Sequence, residues 1–267
     1  RLFRAVVLQS NPLGYKYRSV TVANFIGSGF KDALDCEDLR CLQSESTDEL
    51  MHVQDTFMAV PRSIGDFFTW GPVVTDSAYK REVRIRYRRD MAVCNVSVQQ
   101  PLQILKVLSR FDIPVILGSN THEGNVFVYT AFPTRMNKLI FQAITFSFFK
   151  GDSPKVLKAY ASRTRTISSR PNPDYREVLS EIIGDYLFRC PTRLAASLMH
   201  DLGAPVWLFE FALATRTPGF PCCDGLSCHT AELPYVFEQV ELIEKEYTWS
   251  FDKGGSSQHC TSNSWIP

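Results

Sequence analysis

Three runs of the chain, Ala5 to Gln9, Ile113 to Leu117 and Pro205 to Phe211, are almost continuously apolar and rich in β-branched residues. A strand with one wet face alternates apolar and polar residues, so runs without alternation predict strands covered on both faces. Helical patterns lie between them. Ser46 and Glu49 form a capping box ahead of Leu50 to Met58, Ser153-Pro154 open a helix through Ala159, and Pro191 and Gly203 bracket a helix over Thr192 to Asp201. Strands of this kind alternating with helices predict an α/β architecture, with a mostly parallel sheet in which the three runs are neighbours. The longest apolar stretch, Leu139 to Phe149, contains Gln142, Thr145 and Ser147 and falls short of the about 18 residues that a membrane span needs. It predicts a buried helix, and no transmembrane segment is expected.

The 45% hydrophobic content of these 267 residues suffices for a sizeable core. With 29 Lys and Arg against 28 Asp and Glu, the net charge of +1 creates no field that would draw in nucleic acid or an anionic membrane. The short basic run Lys80 to Arg89 stands in a chain with no overall basic charge and reads as a solvated surface insertion. Eight cysteines and the sequon Asn95-Val96-Ser97 favour an oxidising, secretory compartment with Asn95 as a glycosylation site. The alternative is an intracellular protein with reduced thiols and an unused Asn95. Because Arg1-Leu2-Phe3-Arg4 leads straight into a buried strand, residues 1–267 are expected to be the C-terminal part of a single domain with more chain upstream.

Ligands and catalytic groups in an open parallel sheet collect at the carboxyl ends of the strands. Two residues stand there. Glu123 follows the second apolar run in Gly118-Ser119-Asn120-Thr121-His122-Glu123-Gly124, and His229 follows the third, across the loop Ala214 to Cys228. Either alone reads as a solvated charge or a hydrogen-bonded loop residue. Together, acid before histidine on successive strands is the chain order of a nucleophile–acid–base triad whose nucleophile comes first. A serine hydroxyl attacks an ester carbonyl only if an imidazole takes its proton, the role expected of His229. A carboxylate on the other ring nitrogen fixes the tautomer and stabilises the imidazolium, the role expected of Glu123. No G-x-S-x-G elbow occurs, since Gly27-Ser28-Gly29 and Gly254-Gly255-Ser256 have the wrong spacing.

The ordered motifs resemble the type-B carboxylesterases, a family of the α/β-hydrolase fold that includes the cholinesterases and non-catalytic relatives. Leu2 to Ser10 resembles the segment shortly after the family's nucleophile elbow, and Trp70-Gly71-Pro72-Val73-Val74 resembles its G-P-V-x turn. Ile113 to Gly124 is similar to the acid loop, Asp185 to Arg193 to the helix entry upstream of the histidine strand, and His229 to Phe237 to the histidine loop. The resemblance covers most of the chain and implies the C-terminal portion of a doubly wound, mostly parallel sheet with helical insertions. It makes Glu123 the triad acid and His229 the general base of a carboxylic ester hydrolase acting on a small-molecule ester. It leaves the serine and oxyanion hole upstream and requires no cofactor or metal. Asp185 and Glu232 resemble supporting carboxylates of the family's buried polar network, against the plainer reading of caps or surface charges. Cys36 and Cys41 resemble its paired cysteines, Phe220 and Tyr235 are expected in the core, and a homodimer of the full-length protein is compatible with the family. The second reading is an inactive, cholinesterase-like adhesion or scaffold domain, which has no requirement for Glu123 and His229. This chain alone, lacking the serine, is expected to be inactive.

One departure stands before the histidine, where Cys222, Cys223 and Cys228 crowd His229. Adjacent Cys222 and Cys223 do not converge readily on one tetrahedral zinc, so a local disulfide from one of them to Cys228 is expected. Cys190 resembles a cysteine that cholinesterases pair near the C-terminus, but Cys260 is a poor match for the partner. Cys94 reads as a buried thiol.

Overall fold

The computed structural model describes residues 3–57, 64–67, 70–74, 83–84, 93–94, 101–217 and 219–241. The chain passes through β1 (Val6–Gln9), β2 (Arg18–Ser19), α1 (Val20–Ala33), α2 (Leu39–Ser44) and α3 (Thr47–Phe57). Next come β3 (Val73–Val74), β4 (Val83–Arg84), β5 (Val93–Cys94) and α4 (Pro101–Val107). β6 (Val115–Asn120) opens a long helical stretch: α5 (Asn125–Ala131), α6 (Lys138–Phe149), α7 (Ser153–Ala159), α8 (Ala161–Ser168), α9 (Arg176–Gly184) and α10 (Cys190–Asp201). β7 (Val206–Phe211) and the short α11 (Leu233–Val236) follow.

The contacts divide the chain into two units. The larger comprises the described residues of Arg1–Gly14, Arg62–Ile64 and Leu108–Pro267 and holds a parallel sheet in the order β1-β6-β7. Val6 faces Val115, and Val115 faces Val206, so the three apolar runs are neighbours in register. One sheet face is packed: α10 lies on β6 and β7, and Val115 and Leu117 are buried beneath it with Ile183, Leu187, Phe188 and Ala195 nearby in the core. The other face departs from the expected two-sided cover. Val7, Ile116 and Trp207 form a cross-strand row and remain 60%, 43% and 57% exposed. A continuous apolar run reports that both faces are apolar, and it does not say that both covering layers are present.

The helix over Leu139 to Phe149 forms as α6, but it is buried only along Phe141 and Thr145. Leu139, Ile140 and Phe146 point outward, 75%, 47% and 65% exposed, because only one side of α6 meets α7 and α9. Ser153 and Pro154 open α7 as expected, whereas α10 begins at Cys190. Its start is earlier than Pro191 indicates because a π-helical turn, Asp185–Arg189, runs into it from α9 without a break. Gly203 ends the element at φ +94, a conformation suited to glycine.

The smaller unit comprises the described residues of Tyr15–Pro61 and Gly65–Val107. β2 pairs with β3 in parallel, and Ser19 caps α1 by accepting from Val22 N–H. Phe30 meets Trp70 edge to face at 5.0 Å, and Ser46 Oγ accepts from Glu49 N–H as the capping box requires. Cys36 and Cys41 are joined by a disulfide with Cα atoms 5.5 Å apart. β4 and β5 pair antiparallel at Val83 and Cys94; the rest of Lys80 to Arg89, together with Asn95 and Cys260, lies outside the described residues. No helix among the described residues is long and apolar enough to cross a membrane.

Candidate active site

β6 ends at Asn120, and the chain turns through Thr121 and His122 to set Glu123 just before α5. Gly124 makes this turn fit. A Cβ there would stand 2.0 Å from the Ser180 carbonyl oxygen of α9, and one at Gly184 would stand 3.2 Å from Gly124 N. Two glycines face to face thus bring the acid turn onto α9. Gly124→Ala is expected to cost about 3 kcal/mol, read as a fall of roughly 10 °C in Tm, because the obstacle is backbone that cannot swing aside. A Tm within about 2 °C of the parent would contradict this packing.

The Glu123 side chain is fully buried. Its Oε1 accepts from Ser10 Oγ and from Asn120 N–H, each at 2.6 Å. Its Oε2 lies 2.6 Å from His229 Nδ1. With the carboxylate accepting, the ring proton sits on Nδ1 and Nε2 keeps a lone pair. The acid and the histidine, 106 residues apart in sequence, therefore form one hydrogen-bonded pair.

Several devices aim the histidine loop. Cys223 and Cys228, both fully buried, form a disulfide immediately ahead of His229, and Cys222 is also disulfide-bonded. The Asn120 amide donates from Nδ2 to Cys228 O at 2.5 Å and to Glu232 Oε2 at 2.6 Å, tying the end of β6 to both sides of His229. Thr230 takes φ +73, which turns the chain sharply after the imidazole and is uncommon for a β-branched residue. Phe127 and Phe188 flank the ring with centroids 5.2 and 5.0 Å away. Phe188 comes from the π-helical turn, whose extra residue per turn directs that side chain inward.

The sequence profile of the carboxylesterase family matches residues 1–261. The chain belongs to that family. It is 28% identical over 247 residues to the cAMP-regulated D2 protein of Dictyostelium discoideum and 30% identical over 246 residues to the Crystal protein of the same organism, with 90% of this chain covered in each case. The chain spans 42% and 40% of the lengths of these two curated relatives. Among solved structures, a carboxylesterase of Geobacillus stearothermophilus is similar with a TM-score of 0.61 at 20% identity, covering 90% of this chain and 43% of that one. This member of the carboxylesterase family accordingly carries part of the α/β-hydrolase fold.

Within this chain of the carboxylesterase family, the structure brings Glu123, His229 and Glu232 together and leaves Asp185 apart. Asp185 accepts from Tyr160 Oη at 2.5 Å and pairs with Arg189 Nε at 2.7 Å. Burial and this carboxylate push the Tyr160 hydroxyl well above its ordinary range. Tyr235 is half-buried rather than core, hydrogen-bonded to Thr215 Oγ1 at 2.8 Å, and Phe220 is half-buried as well. Cys190 is a free, exposed thiol. Sequence reasoning passed over Ser10, Asn120 and Phe188. Ser10 had a signal, because it follows β1 at its carboxyl end, the position that singled out Glu123 after β6.

Proposed function

We propose that this chain supplies the acid and the base of a Ser-Glu-His triad in a carboxylic ester hydrolase. The observation that carries the reading is the 2.6 Å contact from buried Glu123 to His229 Nδ1, which leaves Nε2 to accept a proton. His229 Nε2 takes the hydroxyl proton as a serine attacks the ester carbonyl, and Glu123 stabilises the imidazolium. The proton then passes to the departing alcohol, and water attacks the acyl-enzyme by the same base-catalysed route. The serine and the oxyanion donors belong, on this reading, to a part of the protein upstream of this chain, with residues 1–267 as the C-terminal part of one domain. The exposed apolar row Val7, Ile116 and Trp207 supports that, as does the limited span of the curated relatives. The substrate is a small-molecule ester, and the two described disulfides favour an oxidising, secretory compartment.

The test is pre-steady-state hydrolysis of p-nitrophenyl acetate by the complete protein. A burst of p-nitrophenol stoichiometric with enzyme, followed by slower steady turnover, is expected from acyl-enzyme accumulation. A folded complete protein with neither burst nor turnover would replace this reading with the adhesion or scaffold domain.

A further inference from the structure

His122 plays no part in the proton transfers above, yet it touches the loop that carries the base twice. Its backbone N–H donates to Ser227 O at 2.8 Å, and its imidazole Nδ1 accepts from Ser227 N–H at 3.3 Å. His122 and Cys228 stand opposite one another in an isolated parallel bridge. Ser227 is pinned from behind, its Oγ donating to Phe211 O at the end of β7 at 2.6 Å. His122 immediately precedes Glu123, and Ser227 lies two residues before His229. The contact therefore joins the two halves of the acid–base pair just outside the pair itself.

A ring nitrogen that accepts must carry a lone pair, so this bond exists only while Nδ1 is unprotonated and Nε2 holds the hydrogen. Protonation would set a second donor against the Ser227 N–H, and the ring would have to turn away. We propose that His122 is a pH-sensitive clasp that positions the His229 loop: its unprotonated imidazole holds the Ser227 N–H, and protonation breaks that bond while the backbone bond to Ser227 O remains. The kinetic consequence rests on the reading of His229 as general base, whereas the clasp itself does not.

The charged groups around His122 come from three elements: Arg189 of the π-helical turn, Glu181 of α9 and Glu210 of β7. Burial and Arg189 lower its pKa below the ordinary 6.5, outweighing the two carboxylates that raise it. A histidine depressed in the folded state contributes stability that is present above the unfolded value and is lost as pH falls through the folded one. The clasp is accordingly closed at neutral pH and opens on the acid side.

The experiment compares the pH profile of kcat/KM for p-nitrophenyl acetate in the complete wild-type protein with those of His122→Asn and His122→Leu. The Asn Oδ1 reaches about where Nδ1 stands and accepts at every pH. The wild type should lose activity on the acid side more steeply than one protonation allows. His122→Asn should stay within about twofold of wild type at neutral pH and fall with a single protonation, while His122→Leu should drop about fivefold, the loss expected of one hydrogen bond. An Asn variant as impaired as the Leu variant, or three profiles of one shape, would overturn the clasp. Nitrogen-15 NMR supplies a readout independent of turnover. The Ser227 amide resonance should titrate with the His122 ring at a shared midpoint below the ordinary histidine value, and an indifferent amide would also overturn it. Full turnover in His229→Ala would instead sink the catalytic reading and leave the NMR result to judge the clasp.

Discussion

The His229→Ala variant of the complete protein is expected to lose about a million-fold in kcat toward short-chain esters, down to the residual rate that substrate binding and the oxyanion hole sustain. Glu123 does not replace the imidazole, since its side chain is fully buried and its Oε1 stays held by Ser10 Oγ and Asn120 N–H. The fold should survive. The imidazole is 24% exposed, and its loop is held independently by the Cys223–Cys228 disulfide and the Asn120 amide. Circular dichroism and the thermal midpoint should therefore change little, which separates loss of the base from loss of structure. A folded variant within about tenfold of wild type would remove His229 from the mechanism.

Glu123→Gln should cost about 10⁴-fold in kcat, and the direction of its amide can be argued from the neighbours. Asn120 N–H can only donate, so the new amide oxygen must stay where Oε1 stands and the –NH₂ must face His229 Nδ1. A donor at that place drives the ring proton to Nε2, the nitrogen that should receive the serine proton, and the neutral amide cannot stabilise an imidazolium. The packing should be nearly unaltered, because the two side chains share a shape. The double variant with His229→Ala should be no slower than His229→Ala alone, since residues acting as one unit lose their contribution together. Multiplied defects in the double variant would mean that Glu123 acts through something other than the imidazole.

The sheet and the hydrogen-bonded pairing of Glu123 with His229 were legible in the sequence, from apolar runs and from the order of residues after strand ends. Strands β1, β6 and β7 announce themselves as apolar runs, Glu123 stands three residues beyond the end of β6, and His229 follows β7 in chain order across a longer loop. What escaped depends on partners distant in sequence. The role of Asn120 exists only because Cys228 and Glu232 arrive 108 and 112 residues later, and that of Ser10 only because Glu123 arrives after 113. The exposure of α6 escaped for a related reason: apolar content predicts a helix that could be buried, while the neighbours that α6 meets decide which side is. The π-helical turn carrying Phe188 runs from α9 into α10 without a break, so no cap residue marks it in the sequence.

The bonds that assemble this site are among the longest-range in the unit, closing loops of 106 to 113 residues, whereas the α6–α7 and π-turn–α10 contacts join chain neighbours. Closure entropy must be met before such distant contacts return anything, so helices can form early and the acid–base pair only after β1, β6 and β7 have all come into register. On the proposed catalytic reading, competence is then a late clock. In a refolding time course, helical ellipticity should recover ahead of esterase activity, and the interval between them measures how long the histidine loop takes to find its acid.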